Sequence, residues 1–334
     1  MLPPHISEHF KGKRVLVTGG TGLVGREVCR LLVEMGSQVT SISMDNLKIS
    51  PDINYWKVDL FDFNLCKKII KDFDHVFHLA GVKGNPLLSS IRPSKFLVPI
   101  LMMNTHVLEA ARLNHIPYLL YTSSIGAYPP GEFKEKFIYS AEAKYPTPMD
   151  GYPGWAKLMG EMQIDAYRRS QERVEGWVVV RLGSTYGPGD NFDPDNAMVI
   201  PSLMAKITRG DNPLKIIGDG LQVRDFLYST DAAVGIILAS RSNVLPYVNI
   251  GSGKGHSIRQ LLEMLQQMRP FRITYDNTNF HSNQSCRTKV LNTEYATEEL
   301  NFVPRVSLKE GLLKTWNWYL ANLEEHRNKM NYFV

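Results

Sequence analysis

The sequence predicts an α/β fold: a doubly wound parallel sheet joined to a smaller C-terminal α/β substrate domain. Three observations predict it. Between Lys13 and Gly183, short apolar runs alternate with stretches whose apolar residues recur at helical spacing. The short runs are almost wholly apolar, as strands covered by helices on both faces must be. The first run ends in a glycine-rich loop that opens directly into the first of these helices.

The elements follow in order. KRVLVTG is a strand, and GREVCRLLVEMG is a helix with Gly36 as its stop. SQVTSISM is the second strand. INYWKVDL and LCKKIIKDF are a strand and a helix, and DHVFHLAG is a fourth strand. FLVPILMMNTHVLEAARLNH is a long amphipathic helix. PYLLYTSS, GWAKLMGEMQIDAYRRSQ and EGWVVVRLG then read as strand, helix and strand. After Gly183 the pattern loosens. STYGPGDNFDPDN is loop, AMVIPSLMAKITRG is helix, and residues 213–240 read as strand, turn and helix. YVNIGSG is a strand, and SIRQLLEMLQQM and LKEGLLKTWNWYLANLEEHRN are amphipathic helices. Residues 1–183 with about 223–250 are expected to form the first domain, and 184–222 with 251–330 the second. The closing NYFV is expected to fray.

Composition narrows the function classes. Apolar residues are 43% and charged residues 21% of 334, so a large core can form without staples. Cys29, Cys66 and Cys286 are far apart and make no metal-ligand spacing; they read as reduced thiols of a cytoplasmic protein. No metal site is expected. The net charge of +5 is scattered rather than concentrated in a stripe, which argues against nucleic acid and suits an anionic small substrate. MLPPHISEHFKGK lacks the apolar core of a signal peptide. No apolar run approaches the roughly 18 residues of a membrane span.

VTGGTGLVG places Gly19, Gly22 and Gly25 in a GxxGxxG arrangement between a strand and a helix. Such glycines let backbone N–H groups approach a pyrophosphate at the positive end of the helix. The plain alternative is a tight strand-to-helix turn. Asp45, 20 residues after Gly25, is spaced to bind the ribose 2′-OH of NAD, although Ser43 takes the usual strand-end position. No arginine follows closely to pair with a 2′-phosphate; only Lys48 is near. NAD is therefore expected over NADP.

With these residues in view the chain resembles the extended short-chain dehydrogenase/reductases, specifically the NAD-dependent nucleotide-sugar epimerase/dehydratase branch, over about residues 13–320. The resemblance implies a Rossmann fold and a set of site residues. VTGGTGLVG is similar to the family's dinucleotide loop and implicates Thr21, Leu23 and Val24 beside the glycines. VDL, with Asp59 and Leu60, looks like the adenine-contacting turn. HLAGVK resembles the strand-end motif beside the pyrophosphate and nicotinamide ribose, with Leu79, Ala80, Gly81 and Lys83. Asn104 sits where the family has a helix asparagine. YTSSIGAY looks like the serine motif, with Thr122 toward the cofactor and Ser124 and Ile125 toward the substrate. RLGSTYGPGD resembles the opening of the substrate loop, which implicates Tyr186. GDNFDPDNAMVIPSLM resembles the sugar- and nucleotide-contacting run of enzymes related to GDP-fucose synthase, which implicates Asn191, Met198 and Val199. GDGLQVRDFLYSTDAA looks like the diphosphate-binding segment, with Arg224, and Arg287 in SCRTKV is a second candidate. A guanidinium clamps a diphosphate bidentately. The alternative for Arg224 is a surface ion pair with Asp225.

In this family a serine, a tyrosine and a lysine act together at a sugar hydroxyl while hydride moves to or from the nicotinamide. Ser124 and Lys157 fit two of these roles. The position four before Lys157 is Pro153, and Tyr152 stands five before it. Five residues of helix turn a side chain by about 140°, so Tyr152 and Lys157 do not share a face. Pro153 belongs in the first helical turn, which is expected to leave Tyr152 just outside the helix. Tyr152 therefore stays open as the acid/base or as a wall of the site. Gly126 replaces the cysteine base of the GDP-fucose synthase-like enzymes, and Met198 replaces their histidine. Ile125 and Gly126 stand where the dehydratases carry an Asp–Glu pair. These losses argue against a 3,5-epimerase and a 4,6-dehydratase. Lys83, Tyr128, Tyr139, Tyr186 and Asp190 are candidate substitutes, each with a structural alternative.

The expected activity is that of an NAD-dependent nucleotide-sugar epimerase in surface polysaccharide biosynthesis. A 4-keto-sugar reductase and a binding protein without turnover are the rivals. A homodimer is expected through a four-helix interface of the helices around 96–114 and 154–170, with Leu97, Leu101, Val107 and Leu108 on the contact face or in the core.

Overall fold

The computed structural model describes residues 2–129, 151–242, 247–277 and 287–328. Tyr139, Cys286 and the terminal NYFV lie outside the described residues. After a short helix, α1 (Pro4–Phe10), the chain enters β1 (Arg14–Thr18), α2 (Gly25–Glu34), β2 (Gln38–Ser43) and β3 (Ile53–Lys57). It continues through α3 (Phe63–Ile69), β4 (His75–His78), α4 (Pro86–Ile91) and α5 (Ser94–Leu113). Then come β5 (Tyr118–Ser124), α6 (Tyr152–Arg169), β6 (Trp177–Leu182) and β7 (Ser184–Tyr186). The later elements are α7 (Val199–Arg209), β8 (Leu214–Ile217), β9 (Val223–Tyr228), α8 (Ser229–Ala239), β10 (Val248–Ile250) and β11 (Gly255–Ser257). Last are α9 (Ile258–Met268), β12 (Ile273–Asp276), β13 (Thr288–Lys289), α10 (Glu294–Leu300), α11 (Leu308–Ala321) and α12 (Leu323–Asn328).

Seven strands form one parallel sheet in the order β10-β6-β5-β4-β1-β2-β3. This is the doubly wound Rossmann arrangement that the alternating runs predict. One core, with Val17, Val28, Leu32, Ile236 and Ile250, lies on one sheet face. A second, with Leu16, Val76, Leu108, Tyr121 and Trp177, lies on the other. Adjacent residues such as Leu16 and Val17 fall in different cores because strand side chains alternate. Burial on both faces is why these strands read as continuous apolar runs.

A smaller layer follows. β9 pairs with β7, β11 and β13, and β8 pairs with β12, over a third core containing Tyr186, Leu203, Leu262 and Trp316. Within 223–250 the return to the central sheet is made by β10, and α8 packs on α2, whereas β9 belongs to the smaller sheet. The short elements α1, α4, β11, β12, β13 and α10 were not anticipated, and β7 lies in a run read as loop. Their runs are too brief for periodicity to register, and tertiary pairing holds them.

The helix faces choose between the two readings of α5. Val107 and Leu108 on α5 are fully buried in the core, and Leu97 and Leu101 pack in a small cluster with Ala156 of α6. The apolar side chains left in water are Val98 and Met102 on α5 and Met159 on α6. No described helix is long and apolar enough to cross a membrane.

Candidate active site

Strand order reverses between β1 and β4, so a crevice opens at the carboxyl ends of these strands. The glycine loop lines it. Gly19 has φ +72°, and a Cβ on it would sit 2.9 Å from Ala80 Cα, so the β1 and β4 ends touch through bare backbone. A Cβ on Gly25 would lie 2.1 Å from Gly19 O, and one on Gly22 3.1 Å from the same oxygen. Gly20, which the motif did not single out, would drive a Cβ to 2.3 Å from Ser41 Oγ. The loop thus closes tightly before α2, whose N-cap Val24 supplies no side-chain bond. Uncapped N–H groups at a positive helix end are what a pyrophosphate binds.

Asp45 is fixed beside this loop. Its carboxylate accepts from Thr21 Oγ1 (3.1 Å), Ser43 Oγ (3.0 Å) and the N–H of Leu47 (3.3 Å). Among the described residues no cation pairs with it. The cradle and this acid fit a dinucleotide with a free ribose 2′-OH. On the other side, Asp59 is exposed and holds an Asx turn through the N–H of Phe61 (2.9 Å), while Leu60 is buried. Leu79 and Ala80 continue β4, their N–H groups donating to Thr18 O (3.2 Å) and Thr18 Oγ1 (3.2 Å).

Beneath the crevice runs a buried chain of polar groups. His78 Nδ1 meets Thr18 Oγ1 at 2.8 Å, and His78 Nε2 meets Asn104 Oδ1 at 3.0 Å. Because Asn104 Oδ1 only accepts, Nε2 carries the proton and Nδ1 accepts. Asn104 Nδ2 donates to Tyr121 OH (2.8 Å) and Ala156 O (3.2 Å), and Tyr121 OH donates to Lys157 O (3.1 Å). Thr122 Oγ1 donates to His78 O (2.8 Å). Burial, helped by Lys157, pushes His78 down to about 3, so the ring stays neutral. Asn104 is 1% exposed and its amide is fully engaged; it supports the floor of the site rather than meeting a cofactor. The Thr122 hydroxyl is likewise engaged, and its carbonyl faces Lys157.

Lys157 Nζ donates to Thr122 O at 2.7 Å and lies 5.2 Å from the centre of the Tyr121 ring. A Cβ on Gly81 would stand 3.6 Å from Nζ, which puts the ammonium between the ends of β4 and β5. Burial lowers its pKa to about 8, and Glu161 one turn further along α6 opposes that shift. Glu161 is itself committed. It takes Arg181 Nε (2.9 Å) and Nη2 (2.6 Å) and also the Ser123 hydroxyl. Arg181 is sandwiched between Tyr128 (4.2 Å) and Tyr247 (3.8 Å). Ser124 ends β5, with Oγ accepting from the N–H of Gly126 at 3.0 Å and its own proton left to donate. Ile125 is buried at 5% in the core, and Tyr128 is fully buried with its hydroxyl on Asn249 Oδ1 (2.8 Å).

Tyr152 is the first residue of α6, not a loop residue before it; Gly151 (φ +60°) is the N-cap and Pro153 follows inside the first turn. The Pro fits because its missing N–H is one that no helix can use there. Tyr152 is 53% exposed, and among the described residues no hydrogen bond joins it to Lys157 or Ser124.

Across the crevice, Lys83 Nζ pairs with Asp190 at 3.0 Å and donates to Thr185 O at 3.2 Å, tying the β4 end to the loop after β7. Tyr186, expected at the substrate, is 2% exposed. It packs on Phe226 and Tyr228 and donates to Leu308 O at 3.3 Å, so it is a core residue. Asn191 Oδ1 accepts from the N–H of Asp193 (3.0 Å); Met198 caps α7 and Val199 opens it, packed on the third core. Arg224 Nη1 donates to Val223 O (2.8 Å) and Arg287 O (3.3 Å), so the two candidate arginines meet where β13 joins β9. In register, Arg224 lies between His256 and Lys289. Asp225 points to the opposite face, buried and held by the N–H groups of Ser252 (2.7 Å) and Leu291 (3.3 Å). Glu161, Arg181 and His78 were missed by the sequence reading. A carboxylate one turn after Lys157 was the available signal for Glu161.

A family model described as "NAD dependent epimerase/dehydratase family" matches residues 15–251. The chain belongs to that family. It is 29% identical over 326 residues to GDP-L-fucose synthase 1 of Arabidopsis thaliana, covering 94% of this chain and 95% of the relative. It is 26% identical to GDP-mannose 3,5-epimerase of the same plant, covering 97% and 85%. Among solved structures, an epimerase from Methanothermobacter thermautotrophicus matches with a TM-score of 0.84 and 26% identity, covering 97% of each chain. The protein is thus an NAD-dependent enzyme of the nucleotide-sugar epimerase, dehydratase and reductase group. Within the NAD-dependent epimerase/dehydratase family it has the cofactor cradle, a strand-end serine and a helix lysine. Pro153 stands four before that lysine, and Gly126 and Met198 carry no proton.

Proposed function

We propose that this chain is a nucleotide-sugar epimerase that retains NAD through turnover and acts in the cytoplasm in surface polysaccharide biosynthesis. The observation that carries the reading is the arrangement of Ser124 and Lys157 at the strand ends, beside the glycine cradle and Asp45, with Arg224 and Arg287 meeting where β13 joins β9. NAD bound here would supply hydride chemistry at a sugar carbon. The loop N–H groups would hold its pyrophosphate, Asp45 its adenosine ribose, and Lys157 the nicotinamide side. Ser124 would hydrogen-bond the oxygen of the reacting carbon and keep that oxygen in place. Arg224 and Arg287 anchor the diphosphate, leaving the sugar free to present either face after rotation. Epimerisation through a transient ketone needs one proton carrier at one oxygen, whereas 3,5-epimerisation and 4,6-dehydration need additional acids and bases at positions held here by Ile125, Gly126 and Met198.

The test is a panel of GDP-, UDP-, CDP- and dTDP-sugars incubated with purified protein and read by mass spectrometry and NMR. An epimer of unchanged mass, formed without bulk change in nicotinamide absorbance, is the expected result. A stoichiometric absorbance change identifies a reductase, and no product from any sugar sinks both. We further propose a homodimer through α5 and α6, supported by the exposed Val98 (48%), Met102 (37%) and Met159 (44%) on adjacent helices.

A further inference from the structure

We propose that Lys157 itself carries the proton in this enzyme, taking it from the reacting sugar hydroxyl and giving it back to the ketone oxygen. This rests on the nucleotide-sugar reading above and assigns the step for which, among the described residues, no phenol is in place. Pro153 occupies the position four before Lys157, and Tyr152 is exposed and turned about 140° around the helix. Tyr121 and Tyr128 are fully buried with their hydroxyls engaged.

The lysine, by contrast, reaches the crevice. Nζ donates to Thr122 O at 2.7 Å, beside Gly81 and two residues along β5 from Ser124. That is its one hydrogen bond among the described residues. Among the described residues no carboxylate holds it as a cation: Glu161, the nearest acid along α6, is occupied by Arg181 and Ser123. Three titratable groups surround it. His78 on β4 is neutral, Tyr121 on β5 is held well above its usual range, and Glu161 on α6 is ion-paired. Lys83, in the loop after β4, is held by Asp190. Desolvation then favours the neutral amine, in keeping with a pKa of about 8. An amine that titrates near the working pH is a competent general base.

The step balances. The neutral amine takes the hydroxyl proton, so an O–H bond breaks and an N–H bond forms. The carbon's hydrogen would be accepted as hydride by a bound oxidised nicotinamide as the carbonyl forms. With that hydride returned to the opposite face of the ketone, the ammonium would restore the hydroxyl proton. Nothing is consumed.

The first measurement uses no sugar. Lysine-labelled wild-type protein is titrated by NMR, with the Lys157 resonance assigned by its loss in Lys157→Arg and Lys157→Met. A midpoint near 8 is expected. A resonance that stays protonated past about pH 10, the ordinary lysine range, overturns the proposal. The second uses the best sugar of the panel. Lys157→Arg keeps the cation and a donor for Thr122 O but releases no proton, so turnover falls by about 10²–10⁴. Near-wild-type turnover in Lys157→Arg overturns the proposal, as does a loss beyond about a hundredfold in Tyr152→Phe. If wild type turns over no sugar, the epimerase reading fails, and the titration still decides whether Lys157 is a base.

Discussion

At the residue scale, the site depends on a few positions where a single atom decides. A methyl on Gly25 would stand 2.1 Å from Gly19 O, so Gly25→Ala must open the loop. The expected outcome is NAD affinity weaker by at least roughly tenfold, about 1.4 kcal/mol, measured by fluorescence titration or calorimetry. On the proposed reading, Asp45 would act by charge as well as by hydrogen bonding. A carboxylate held by Thr21, Ser43 and Leu47 repels a 2′-phosphate and attracts a 2′-OH. Asp45→Ala is expected to lower the preference for NAD over NADP by about tenfold or more, read from the two dissociation constants. Unchanged discrimination would place the acid away from the ribose.

At the element scale, α6 is the part that delivers Lys157, and it is seated by two contacts. Gly160 lies so close to the Tyr121 ring that a Cβ would come to 2.6 Å. One residue on, Glu161 joins Arg181 of β6 and Ser123 of β5, both ends of the pair almost fully buried. Removing one partner of such a pair leaves a buried charge, which costs about 3–5 kcal/mol. Arg181→Met is expected to destabilise the protein by that amount in urea unfolding, and a loss under about 1 kcal/mol would mean that the pair is solvated. Arg181 also fills the space between two tyrosine rings, so shape and charge are lost together.

At the scale of the whole molecule, two buried histidines make stability pH-dependent. Burial pushes His75 and His78 each down to about 3, from an ordinary value of about 6.5. Below the ordinary value the unfolded chain binds protons that the native state refuses. Their stabilising contribution is therefore complete above about pH 6.5 and is lost as pH falls toward about 3. Urea unfolding should give a lower free energy at about pH 5 than at about pH 7.5, with a shallower slope in His75→Phe. A flat profile contradicts the buried, neutral state of both rings. For the assembly, Met102→Glu places a charge on the exposed α5 face and is expected to yield a monomer by light scattering. A dimer that survives this change uses another surface.

Residues close in sequence carried what the sequence alone determined: the parallel sheet, through runs such as KRVLVTG and EGWVVVRLG, the cofactor loop and Asp45 by spacing, and the displaced tyrosine by helical angle. These are local properties, fixed by backbone geometry and periodicity within one or two elements. The tertiary structure decided which polar groups remain available. Asn104, Ile125 and Tyr186 stood at motif positions, yet the first is spent within the His78–Tyr121 chain and the others are packed into cores. The partners that spend them, and the Arg181 that occupies Glu161 one turn from Lys157, come from strands and helices far apart in the chain. Hydrogen-bond capacity and solvation depend on such neighbours, and no spacing within a single segment records them.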